Sequence, residues 1–172
     1  ITDGAPITFT NVYDPSDAEI TLNGMIEKEL VGRDFAAGDE FTFAVFPDGQ
    51  SSFTDTTGAL LIGKSTGKNV SFGTSVITLD RVGTYKFDVV EIEGSIPSVS
   101  YSKRIYDLVV DVEDIGGSLA YRAYFEDSAE NKVTFKNYYS PDEVSHVVRG
   151  EKLLTGRRML LGAFGFIMPK VA

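Results

Sequence analysis

An all-β sandwich is the architecture this sequence predicts. Apolar and polar residues alternate with a period of two through most of the chain, turn-forming glycines and prolines recur at short intervals, and no segment carries a helical apolar stripe. Many short strands separated by frequent turns are the pattern of two sheets packed face to face.

The strands follow in order. "ITFTNVY" (7–13) lies in a first strand over 5–13, with Ile7, Phe9, Asn11 and Tyr13 on one face, because successive strand side chains point to opposite faces. After Pro15, a strand over 20–31 puts Ile20, Leu22, Gly24, Ile26, Lys28 and Leu30 together. "EFTFAVFP" (40–47) stops at the Asp48-Gly49 turn, and "NVSF" (69–72) and "SVITLD" (75–80) are short strands. Over 83–93, Tyr85, Phe87, Val89 and Glu91 face one way, with Lys86, Asp88 and Val90 opposite. A turn from Gly94 to Pro97 precedes a strand over 104–113, and Gly116-Gly117 separates it from another over 118–126. "DSAENK" (127–132) is at most one helical turn. A strand over 132–139 places Val133, Phe135, Asn137 and Tyr139 on one face, and a last one falls at 146–154 beyond Pro141.

Two stretches occur twice. "ITFTNVY" at 7–13 returns as "VTFKNYY" at 133–139, and "KELVGR" at 28–33 returns as "KLLTGR" at 152–157. Each lysine is followed by Gly-Arg, then by a second glycine (Gly38, Gly162), then by Phe41-Thr42-Phe43 or Phe164-Gly165-Phe166. Self-similarity at a fixed spacing is the mark of tandem repeats. The chain therefore reads as the terminal strand of a preceding repeat (1–17), one complete repeat (18–140) and the opening strands of a following repeat (141–172). Ile1 is not an initiator methionine and no signal peptide opens the chain, so a fragment or processed piece is expected.

Within the complete repeat, three strands each put one polar residue on an apolar face: Lys28, Glu91 and Asn137. A buried amide without partners costs about 1–3 kcal/mol, so something across the core must meet Asn137. Burial lowers a lysine pKa and raises that of a glutamate. A neutral amine is a nucleophile and a protonated carboxyl is a proton donor. Held against the Asn137 carbonyl carbon, Lys28 gains from proximity, which supplies roughly 7–11 kcal/mol at best. With Glu91 hydrogen-bonded to the carbonyl oxygen and shuttling protons, Lys28 would displace ammonia and leave an isopeptide bond between the first and last strands. Each residue also has a plainer reading: a lysine snorkelling at a sheet edge, a glutamate paired to a cation, an asparagine bonded to backbone. Together these make a buried Lys–Glu ion pair with a bystander asparagine.

The lysine in the first strand, the glutamate in a Y-x-F-x-V-x-E strand and the closing V/I-T-F-x-N-x-Y strand resemble the pilin isopeptide linkage domain of Gram-positive backbone pilins and surface adhesins. The likeness covers about 18–140 and includes "KELVGRDFAAGDEFTFAVF", "GTYKFDVVEIEG", "YDLVVDVED" and "VTFKNYY". It implies an immunoglobulin-like β-sandwich with Lys28 and Asn137 as the cross-linked pair and Glu91 as the catalytic acid. By the same matching, Asn11 is the acceptor of the preceding repeat and Lys152 the amine of the following one. The implied setting is extracellular, on a bacterial cell wall or pilus. The implied partners are neighbouring repeats of the same chain and sortase-linked pilin subunits, although no sorting motif stands in this stretch.

Composition excludes several other classes. A net charge of −9 argues against a nucleic-acid or anionic-membrane partner. Absence of cysteine removes disulfides, iron–sulfur clusters and thiolate zinc sites, and a single histidine, His146, removes any mechanism needing two. The apolar runs are too short to span a bilayer. Arg149, Lys152, Arg157 and Arg158 read as a solvated basic segment. "GALLIGKS" (58–65) spells the phosphate-loop pattern G-x-x-x-x-G-K-S/T, but polar "SSFTDTT" precedes it and "NVSF" follows with no room for a helix, so a hairpin with an exposed Lys64 is expected. "NVS" (69–71) is a glycosylation sequon by spelling only. Asp14/Asp17 and Asp111/Glu113/Asp114 lack a dense calcium loop and read as solvated acidic turns. The expectation is a self-cross-linked structural repeat that uses no cofactor or metal, and no enzyme beyond one intramolecular turnover. A ligand-binding adhesin domain for host protein or glycan is the alternative; a large insertion with exposed aromatics would favour it, and none is evident.

Overall fold

The computed structural model describes residues 7–141, which carry ten strands and no helix. They are β1 (Ala18–Ile20), β2 (Ile26–Val31), β3 (Phe41–Pro47), β4 (Leu61–Ser65), β5 (Ile77–Leu79), β6 (Gly83–Ile92), β7 (Val99–Ser100), β8 (Ile105–Asp114), β9 (Leu119–Phe125) and β10 (Val133–Tyr139). An antiparallel five-stranded sheet runs β4-β3-β6-β8-β9. Facing it are a three-stranded sheet, β2-β10-β7, and the β1–β5 pair. The fold is thus all-β, an immunoglobulin-like sandwich.

One apolar core fills the space between the layers. Phe43, Val89, Leu108 and Val110 of the large sheet meet Ile20, Ile26, Val133 and Phe135 of the opposite layer. The Phe135 ring lies 5.3 Å from that of Phe43 and 4.9 Å from that of Tyr106, nearly perpendicular to the latter. Edge-to-face pairs of this kind add roughly 0.5–1.5 kcal/mol beyond their buried area. The Tyr106 hydroxyl donates to the carbonyl of Thr134, tying the layers together at 2.8 Å.

A second small core lies on the outer face of the large sheet. Ala44, Phe46, Val90 and Ile92 are buried there, with Phe53 and Ala59 packed against them. The connection between β3 and β4 folds back over that face: Glu93 N–H donates to Phe53 and Gly49 N–H to the Asp88 carboxylate. This is why β6 is buried on both faces from Phe87 to Ile92.

The strands match the alternation at 40–47, 83–93, 104–113, 118–126 and 132–139 and depart from it elsewhere. The expected strand over 20–31 is two strands joined by a turn at Leu22–Met25. Gly24 has φ +84°, and the Asn23 side chain is tied to the backbone of Phe72 and Gly73 at 2.9 Å each. Inward and outward facing survives the break, since Ile20, Leu22, Ile26 and Lys28 are all buried. Of 69–72 only isolated bridges remain, and 75–80 shrinks to β5. Two strands escaped the pattern: β4, and β7 just after the Gly94–Pro97 turn.

The largest departure is at 7–13. These residues form no strand; Ile7 is 82% and Phe9 87% exposed, and Asn11 is exposed. The reason lies in their twin. β10 is a strand because β2 and β7 flank it and the large sheet covers its apolar face. Residues 7–13 have the same alternation but neither ladder partner nor opposing sheet among the described residues. The remainder of the expected strand, 5 and 6, and the expected strand at 146–154 lie outside the described residues.

Candidate functional site

Sheet pairing brings Lys28 and Asn137 together. β2 and β10 run parallel, with Phe135 opposite Lys28 and Asn137 opposite Leu30. Lys28 and Asn137 are therefore diagonal neighbours on one face of adjacent strands. Glu91 comes from the opposing sheet, on β6 beside Phe43 of β3. All three are sealed from solvent, at 1%, 0% and 0% exposure for Lys28, Glu91 and Asn137.

Glu91 is the hub. Its Oε1 and Oε2 accept from Lys28 Nζ at 2.9 and 3.0 Å, and Oε1 also accepts from Asn137 Nδ2 at 2.7 Å. Asn137 Oδ1 accepts from the backbone N–H of Ser102 at 2.8 Å. Here the geometry departs from the expectation that Glu91 bonds the carbonyl oxygen. A main-chain N–H can only donate, so it fixes the amide with its oxygen toward Ser102 and its nitrogen toward Glu91. Every buried side-chain polar atom among the described residues has a partner.

The walls are aromatic. Lys28 Nζ stands 4.7 Å from the centre of the Phe41 ring, and Tyr101 packs against Phe41 at 6.0 Å between ring centres. Burial pulls the Lys28 amine down from 10.5 to about 8, against the opposing attraction of Glu91. Burial likewise pushes Glu91 above the ordinary carboxylate value. The Lys28 charge and its hydrogen bond, the Asn137 amide and the Ser102 N–H pull the other way. Desolvation thus moves both members of the ion pair toward their neutral forms, an amine and a carboxylic acid. That is the protonation state in which an amine can attack an adjacent carboxamide.

Next to the cluster, Arg33 closes the β2–β10 seam. Its guanidinium bonds Asp39 through both nitrogens at 2.7 and 3.0 Å and lies 4.7 Å over the Tyr139 ring. Asp39 also accepts from Ala36 N–H at 2.8 Å. Gly32 is needed for this approach: φ is +102°, and a Cβ there would stand 2.5 Å from the Tyr139 carbonyl oxygen. The doubled Gly-Arg (Gly32-Arg33, Gly156-Arg157) was the sequence signal for this clamp, although its partners were not legible. Ser102 left no signal, because it acts through its main chain.

Of the outer counterparts, Asn11 stands apart from the cluster in the exposed 7–13 segment, and Lys152 lies outside the described residues. "GALLIGKS" becomes the edge strand β4, with Lys64 exposed and paired to Glu40 at 2.7 Å. Gly63 packs against the Phe72 ring, where a Cβ would come within 2.7 Å, and no helix follows to hold a phosphate. Of the acidic clusters read from sequence, Asp114 accepts from the Tyr13 hydroxyl and from Gly117 N–H, as a turn carboxylate does. A different trio, Asp48, Asp88 and Asp107, brings carboxylate oxygens within 4.8 Å of one another, but Asp88 is already bonded to Gly49.

Comparison with curated proteins finds no match. Among solved structures, the chain is similar to three forms of the major pilin of Streptococcus pyogenes. A single-residue mutant of that pilin is 18% identical over 73% of this chain and 50% of the pilin, with a TM-score of 0.43. The T-13 major pilin is 20% identical over 73% of this chain and 53% of the pilin, with a TM-score of 0.42. The unmutated major pilin is 19% identical over 75% of this chain and 51% of the pilin, with a TM-score of 0.41. The chain thus spans about half the length of each. The profile of the FctA family, described as Spy0128-like isopeptide containing domain, matches residues 25–140, which run from the start of β2 to the end of β10 and take in Lys28, Glu91 and Asn137. The chain belongs to this family of pilin-type isopeptide domains.

Proposed function

We propose that residues 18–140 form a structural repeat of a Gram-positive surface pilus or adhesin stalk, closed by an autocatalytic isopeptide bond between Lys28 and Asn137. The observation that carries this reading is the buried trio: an amine and a carboxamide on adjacent strands, each hydrogen-bonded to the same carboxyl inside an otherwise apolar core. A plain ion pair does not need the asparagine. Replacing a buried pair by packed apolar residues is often neutral or stabilising, so the trio is costly unless it does chemistry.

In the reaction, Glu91 takes a proton from the Lys28 ammonium. The freed Nζ bonds to Asn137 Cγ, Glu91 returns a proton to Nδ2 as the Cγ–Nδ2 bond breaks, and ammonia leaves. The excess proton of Nζ passes to Glu91, which ends as the neutral acid. Glu91 acts once per molecule, so the repeat is not a turnover enzyme.

On the same reading, residues 1–17 and 141–172 belong to neighbouring repeats. Asn11 and Lys152 are then an acceptor and an amine whose own partners lie elsewhere, and neither reacts within this chain. The setting is the extracellular face of the cell wall, with neighbouring repeats and pilin subunits as partners.

Intact mass tests this directly. The folded chain should weigh one ammonia less than its sequence, and peptide mapping should find Lys28 joined to Asn137. Glu91→Ala should restore the full mass in a folded but less stable domain. A folded wild-type chain of full mass sinks the proposal.

A further inference from the structure

We propose that the backbone N–H of Ser102 is the oxyanion donor of the cross-linking reaction, and that β7 is the device that holds it in place. The proposal rests on the Lys28–Asn137 bond formation proposed above.

Attack by Lys28 Nζ on Asn137 Cγ moves the carbonyl π pair onto Oδ1. The developing negative charge needs a donor already in position, and in a site closed to water only the protein can supply it. Glu91 is badly placed to do so, since it holds the opposite end of the amide. Ser102 N–H stands 2.8 Å from Oδ1. The two roles are therefore divided. Ser102 N–H stabilises the charge on Oδ1, and Glu91 delivers a proton to Nδ2. When the intermediate collapses, the Oδ1 lone pair reforms the C=O bond, Cγ–Nδ2 breaks, and Nδ2 departs as ammonia with the proton from Glu91. No oxidant or co-reactant is needed.

The donor is fixed before the reaction. β7 pairs antiparallel with the end of β10, Val99 opposite Tyr139 and Ser100 opposite Tyr138, and Ser140 N–H donates to the Ser98 carbonyl at 2.9 Å. Two residues further on, Ser102 N–H reaches back to Asn137, on the same strand that β7 has just paired with. The loop is pinned on its other flank by Tyr101, whose hydroxyl accepts from Ile96 N–H at 3.1 Å and whose ring packs on Phe41. Gly94 leaves room for that hydroxyl, since a Cβ there would stand 2.6 Å from it. Ser98 adopts φ +61° at the entry to β7, an uncommon conformation for a residue with a Cβ. A two-residue strand adds little to the sheet, but it sets the register between the donor and the carboxamide.

The test removes one hydrogen. Replacing the Ser102 peptide N–H by an ester oxygen, through an α-hydroxy acid incorporated during cell-free synthesis, keeps the side chain and shape and deletes the donor. Sampling the full chain over time by intact mass gives the rate of ammonia loss. The ester chain should react about 10²–10³-fold more slowly than wild type, the usual effect of losing one oxyanion donor. An ester chain that reacts as fast as wild type overturns the proposal. A wild-type chain that never loses ammonia overturns the cross-link itself, and this assignment with it. A second measurement does not depend on the ester chain folding. In Lys28→Met, which cannot react, the Ser102 amide should show scalar coupling across its hydrogen bond to Asn137 Cγ and slow hydrogen exchange. A folded Lys28→Met chain without that coupling also overturns the proposal.

Discussion

Mechanical extension gives the sharpest test of the proposed cross-link, and Asn137→Ala is the perturbation of choice. It abolishes the acceptor while leaving Lys28 with its counter-ion Glu91. β2 and β10 are parallel neighbours paired from Val133–Ile26 to Tyr138–Val31. Force entering β2 at its start and leaving β10 at its end therefore loads that ladder in shear. With the isopeptide bond in place, tension passes from Lys28 to Asn137, and residues 29–136 carry none. Those 108 residues (136 minus 28) would span roughly 360–390 Å if drawn out at 3.3–3.6 Å each. The assay is single-molecule stretching of the chain between two marker domains of known unfolding length. Wild type should show no step of that size at any force below backbone rupture, and Asn137→Ala should show one per molecule. Closing the same loop also restricts the unfolded chain, a stabilisation of about 4–5 kcal/mol by the chain-entropy estimate for covalent cross-links. Equal steps in wild type and Asn137→Ala would refute the load-bearing bond.

Three further outcomes are expected. In Asn137→Ala, unfolding free energy should rise with pH between about 8 and 10: the Lys28 pKa falls to about 8 in the folded state against 10.5 unfolded, so the unfolded chain binds the extra proton in that window. Denaturant titrations at spaced pH values would read this, and a flat or falling profile would contradict the assigned burial of the amine. Arg33→Ala should lower the melting temperature in an uncross-linked background, since it strips a two-point charged partner from Asp39, and an unchanged thermal melt would show that the clamp adds no stability. Gly32→Ala should slow ammonia loss in timed mass measurements, because the added Cβ drives into the Tyr139 carbonyl and shifts β2 against β10; an unchanged rate would show that the seam tolerates the shift.

Much of the site was legible because strand alternation is a local property. Cβ direction depends on the residue's own backbone, so Lys28, Glu91 and Asn137 could be placed on apolar faces without knowing what those faces met. The same reasoning held at Lys28 even though the strand around it is broken at Gly24, since Leu22 and Ile26 stay on the core side. The repeated Gly-Arg was read only as a mark of the repeat; that Gly32 must pass close to the Tyr139 carbonyl depends on the β2–β10 pairing and was not legible.

What the sequence by itself determined was the all-β class, the inward facing of three polar side chains and an exposed Lys64 at "GALLIGKS", all of which follow from side-chain period and short-range sterics. Only the tertiary structure decided which strands are neighbours, and with that the chemistry. It put β10 parallel to β2, set Glu91 across the core on the amide nitrogen, and brought Ser102 N–H to the amide oxygen. It also left "ITFTNVY" exposed while "VTFKNYY" became a core strand. Two nearly identical segments part ways because a strand is stabilised by hydrogen bonds and apolar contacts from residues distant in sequence. A side chain's direction is encoded where it stands, but its partner is encoded elsewhere in the chain.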